Sequence, residues 1–87
     1  MRLEDLPSYD PNEPILAVVE WASTELGLDI RGGREFGMDP LIMLFIRPGG
    51  GTVVATHDTA YREDPWGVAA DVLFHLTAAD DMRRRRS

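Results

Sequence analysis

The stretch from Pro40 to His57 constrains this chain more than any other. Leu41-Ile42-Met43-Leu44-Phe45-Ile46-Arg47 is an apolar run, Pro48-Gly49-Gly50-Gly51 breaks it, and Thr52-Val53-Val54-Ala55-Thr56-His57 is a second run rich in β-branched residues. Two such runs around a Pro/Gly breaker predict a β-hairpin. With the loop centred on Gly49-Gly50, Arg47 pairs with Thr52, Ile46 with Val53, Leu44 with Ala55 and Ile42 with His57. One face then carries Ile42, Leu44, Ile46, Val53 and Ala55, and the other Leu41, Met43, Phe45, Val54 and Thr56. Both faces of the first strand are apolar, the pattern of a strand central in its sheet and covered above and below.

The flanking segments have helical period. Ile15, Val18, Val19, Ala22 and Leu26 form one amphipathic stripe, with Asn12 as N-cap, Pro14 in the first turn and Gly27 as the stop. A first helix is therefore predicted from about Glu13 to Leu26. A second starts at Pro65 behind Asp64 as N-cap, with Val68, Ala69, Val72, Leu73 and Leu76 as its core stripe, and ends near Ala79 or Asp80. Between them, Leu28-Asp29-Ile30-Arg31 alternates like a half-buried edge strand. The expected fold class is α+β: a two-layer sandwich of order α-β-β-β-α, or α-β-β-α if the Leu28 segment is not a strand, with two helices packed on one face of a small antiparallel sheet. Two helices cover one face only, so the second apolar face must meet the N-terminal arm or another chain. Residues 1–12 are expected to be an arm whose Leu3, Leu6 and Tyr9 pack on the body or on another subunit. Residues 13–80 form the single domain, and residues 81–87 a disordered Arg-rich tail.

This element order resembles that of double-stranded RNA-binding domains, over roughly Glu13 to Ala79. That family carries lysines at the start of its second helix, where they meet phosphates. Here the position reads Glu63-Asp64-Pro65-Trp66-Gly67, acidic and apolar, so the family's function is not carried over.

Composition narrows the function classes. The 87 residues make one small domain with a thin core, which a second subunit or a partner would help to stabilise. No cysteine is present, which removes disulfides and thiolate metal sites and fits a cytoplasmic protein. Met1 to Asn12 is acidic and broken by prolines, unlike a signal peptide. Leu41 to Ile46 is far shorter than the roughly 20 residues of a membrane helix. The nine basic residues, against fifteen acidic ones, are all Arg, and four of them are Arg83, Arg84, Arg85 and Arg86. The body is thus strongly acidic and repels nucleic-acid phosphates. The exclusive use of Arg reads as codon bias of a GC-rich genome, such as that of an actinobacterium or one of its phages.

No stretch carries a specific chemical motif. His57-Asp58 with His75 matches no ligand spacing and lacks a third ordered ligand, so no catalytic residue, metal or cofactor is assigned. Gly49-Gly50-Gly51 leads into a strand rather than a helix and lacks a following lysine, unlike a phosphate loop. Phe74 lies nearly opposite the core stripe between Ala70 and Ala78, a hint of a contact surface. Trp66 and Tyr61 stand where they could rim a binding patch. The expected function is a small acidic, non-enzymatic protein-binding module, an adaptor or inhibitor acting as a regulator through a homodimer or a host protein. Leu41, Met43, Phe45, Val54, Phe74 and Trp66 are its expected partner-binding residues. The alternatives are nucleic-acid engagement through the tail Arg83 to Arg86, or an acidic nucleic-acid mimic. A small enzyme using His57, Asp58 and His75 ranks last.

Overall fold

The structure, a computed structural model, describes residues 1–86. Its elements run as a 3-10 turn Leu3–Asp5, α1 (Pro14–Glu25), β1 (Asp29–Gly32), a 3-10 turn Gly33–Phe36, β2 (Ile42–Ile46), β3 (Thr52–His57), α2 (Asp58–Glu63) and α3 (Pro65–Arg86). The three strands form one antiparallel sheet in the order β1-β2-β3, so the most apolar strand is the central one. α1 and α3 pack on each other and on the sheet, which makes the two-layer α+β sandwich that the periodicities imply.

Local chemistry accounts for most of the element boundaries. Pro14 opens α1, and Gly27, at φ 65°, ends it. Asn12 is not the N-cap, however. Its N–H donates to Asp10 Oδ1 (2.9 Å) in a turn closed by Glu13 N–H on the Asp10 carbonyl (3.1 Å), which leaves Glu13 as the capping residue. Asp64 caps α3 as its position implies, accepting from the Gly67 N–H at 3.1 Å. The hairpin tip is a turn in which Gly50 N–H donates to the Arg47 carbonyl (2.9 Å), with Pro48 second and Gly49 third at φ 70°. That is the type II signature, and it requires glycine at the third place.

The register departs from simple alternation at one point. Ile42 pairs with His57 and Leu44 with Ala55, but Ile46 pairs with Thr52 because a bulge leaves Val53 extra. The bulge lets Val53 and Val54 both reach the helix side, where Val53 packs against the core and Val54 belongs to it.

The core holds Ile15, Val18 and Ala22 of α1, Phe45 and Val54 of the hairpin, and Ala69, Val72, Leu73 and Leu76 of α3. Leu3 and Leu6 join it, so the arm closes the chain's own helix layer rather than another subunit's. Phe45 (0% exposed) and Val54 (8%) are therefore not surface residues, which corrects their assignment to a partner-binding face. Both sheet faces are apolar, so alternation alone does not say which one the helices take. The opposite face is covered locally. Leu44 is buried there, outside the helix-side cluster, and the 3-10 turn Gly33–Phe36 packs against β1 and β2. Gly33 is pressed so close that a Cβ on it would run into the Asp39 carbonyl and sit 3.3 Å from Ile42 Cβ.

Two segments differ from expectation. The stretch after β3, to which the sequence assigns no element, forms the short helix α2, seeded where the Thr59 N–H donates to His57 Nδ1 (3.2 Å) and held by an Arg62–Asp58 pair at 2.7 Å. Nor does α3 stop near Asp80 and release a disordered tail. It continues to Arg86. Arg83 and Arg84 pair with Asp80 (3.9 and 3.1 Å) and Arg85 with Asp81 (3.1 Å), one turn back on the same helix. Cations at a helix C-terminus also complement its dipole. Ser87, the last residue assigned to the tail, lies outside the described residues.

Candidate functional site

α1 and α3 do not cover the whole helix-side face of the sheet. At the end where β2 begins, a cleft of about 580 Å3 remains open, within the range typical of binding sites. Its floor is mostly apolar: Ile30 of β1, Leu41 just before β2, Met43 of β2 and Thr56 of β3. Ile15 and Glu13 at the head of α1 form one wall. Tyr61, Asp58 and Arg62 of α2 form the other. The cleft exists because α2 turns the chain away from the sheet before α3 packs down on it.

The polar groups at the rim are already engaged within the chain. The Tyr61 hydroxyl donates to Glu13 Oε2 at 2.8 Å, joining α2 to the cap of α1. Burial, and then this bond to a carboxylate, push the Tyr61 phenol up to about 12. Arg62 pairs with Asp58, and Arg31 lies 3.6 Å from Glu35 and 4.0 Å from Asp29. What the cleft presents to an incoming group is therefore chiefly apolar surface, with Leu41 47% exposed.

The six expected partner residues fall in different places. Leu41 and Met43 lie in the cleft, while Phe45 and Val54, next along the same face, are closed over by the helices. Phe74 is 65% exposed and lines a groove between α1 and α3 with Trp21 and Ala78. Charged Glu25, Asp80, Asp81 and Arg84 share that groove. Trp66 (52% exposed) lines neither. Sequence reasoning missed Ile30, Arg31, Arg62 and the wall that α2 provides. The Asp58/Arg62 spacing, i to i+4, was the available signal for that helix.

His57 does not act with Asp58. Its Nδ1 accepts the Thr59 N–H, so the ring proton sits on Nε2, which donates to Asp39 Oδ2 at 3.0 Å. Asp39 also accepts from the Leu41 N–H (2.9 Å). That bond first, and the His57 bond second, hold its carboxyl below the ordinary 3.8. The pair staples the loop before β2 to the end of β3. His75 is on α3, beside Phe74 and 4.0 Å from Asp71. Among the described residues no group of three or more His, Cys, Asp or Glu side chains is placed to hold a metal ion. Among them also, no helix is long and apolar enough to cross a membrane. Comparison with protein-family models, with curated proteins and with solved structures finds no match for this chain.

Proposed function

We propose that this chain is a non-enzymatic protein-binding module, an adaptor or inhibitor, and that the cleft between α1 and α2 receives apolar side chains of a protein partner. One observation carries the reading: an apolar floor around Leu41 and Met43 whose polar rim groups already have partners within the chain. Such a site gains little from a charged ligand and most from an aliphatic or aromatic anchor that displaces water from Leu41. Burying one such side chain contributes about 1.5–3 kcal/mol. That suits a peptide or loop with two or three anchors.

The arginines of α3 argue less well for nucleic acid, because Arg83, Arg84 and Arg85 each have a carboxylate within 4.0 Å. A peptide display selection tests the cleft reading. Peptides with recurrent apolar anchors are expected to enrich on the native chain and to lose binding to the Leu41→Glu variant. Enrichment that survives both Leu41→Glu and Met43→Glu would place the binding surface elsewhere. Failure to enrich any apolar motif would end the proposal.

A further inference from the structure

The two edges of the sheet are unlike. β1 carries Asp29 and Arg31, both exposed, and runs at once into a 3-10 turn, so charge and brevity guard it. β3 is six residues long, and Thr52-Val53-Val54-Ala55-Thr56 has no charge and no proline. Among the described residues no strand flanks its outer side.

The outward groups can be identified. The Asp58 N–H donates to the Leu41 carbonyl at 2.8 Å, next to the Ile42/His57 pair. Alternation along the ladder then makes Met43/Thr56 a hydrogen-bonded pair, and it turns the backbone N–H groups of Ala55 and His57 away from β2. Ala55 is exposed as well.

We infer that β3 is a self-association edge, on which a second copy of this chain pairs antiparallel about a twofold axis near Ala55 and extends the sheet across two subunits. The inference does not depend on the cleft, which Ala55 does not line. Charge selects the second copy as the occupant. The chain has a net charge of −6, so most pairs of its surfaces repel. The stretch Thr52–Thr56 carries no charged side chain, but the segments beyond its two ends do. Arg47 borders one hollow with Thr52, Val53 and the exposed Met82, while Glu63 and Asp64 follow the other end of the strand in sequence. Antiparallel pairing sets the basic end of each copy toward the acidic end of the other, twice over. Neither Arg47 nor Glu63 takes part in an ion pair among the described residues. The bulge at Val53 limits regular pairing to the stretch from Val54 onward, so a weak, concentration-dependent dimer is expected rather than an obligate one.

Sedimentation equilibrium on the full chain across the micromolar range tests this. The mass is expected to rise with concentration from 9.7 kDa toward twice that value. Ala55→Pro removes only an outward N–H, a position where an edge strand accepts proline. It is expected to weaken the dimer at least about tenfold. Ala55→Lys, which sets like charges across the axis, is expected to do the same and serves if the proline variant fails to fold by circular dichroism. Leu41→Glu is expected to dimerise as the native chain does. In the native chain, amide exchange at Ala55 is expected to slow as concentration rises. A mass fixed at 9.7 kDa, or a dimer that the folded Ala55 variants leave unchanged, overturns the inference.

Discussion

The two ends of the apolar run 41–46 have nearly the same sequence character and opposite fates. Phe45 is sealed beneath α1 and α3, while Leu41, two pleats away on the same face, is almost half exposed in the cleft. Hydrophobicity does not separate them, since both belong to one unbroken apolar run. Coverage does. The helices reach Phe45 and stop short of Leu41, and α2 stands between the sheet and the start of α3. An apolar residue that its own chain leaves uncovered is a more informative sign of binding than apolarity itself.

Substitution at the two ends should show the contrast most strongly. Phe45→Ala opens a cavity under both helices and is expected to cost about 3–5 kcal/mol, a large share of a domain's total stability. Leu41→Ala is expected to cost less than about 1 kcal/mol, since little contact is lost at a half-exposed site. Urea denaturation of both variants measures the difference, and equal losses would refute the division of the run.

Gly33→Ala probes the covering of the opposite face. The added Cβ meets backbone at Asp39, which cannot rotate aside, so a loss of about 1–3 kcal/mol is expected. A neutral result in the same denaturation assay would mean that the turn sits less tightly on β2.

Tyr61→Phe tests the cleft wall. Losing the bond to Glu13 is expected to cost about 1 kcal/mol at neutral pH. The native phenol, raised from 10.0 to about 12, stays protonated where an unfolded chain would ionise. Native stability should therefore fall as pH climbs from 10 toward 12, and the Phe variant should lack that part of the fall.

The smallest effect is on the acid side. Asp39 has a depressed folded pKa, so its contribution is present above 3.8 and is lost as pH drops through the lowered value. Asp39→Asn should flatten the acid limb of the stability profile. An unchanged limb would mean that the His57–Asp39 staple adds nothing to folding.

Much of the architecture was legible in the residues. The stripe on α1, the Asp64-Pro65 start of α3 and the pairing of the hairpin up to Leu44 each express a local rule of backbone geometry or periodicity, whereas the tip turns at Pro48-Gly49 rather than at Gly49-Gly50 and the bulge puts Thr52, not Val53, opposite Ile46. The candidate site was legible only in part. Leu41 and Met43 stood out as apolar, but so did Phe45 and Val54, and nothing local distinguishes them. α2 was hidden because six residues leave almost no periodic signal, and tertiary packing decides whether so short a helix forms.

The chain's own sequence determined what kinds of element form and that β2 would lie at the centre of a small sheet. Those outcomes depend on neighbours a few residues apart. Only the tertiary structure decided which sheet face the helices took, where their coverage ended, and that His57 reaches Asp39 rather than Asp58. Each of these is a meeting of segments distant along the chain. It is settled by competition for a limited apolar area, which no local pattern records.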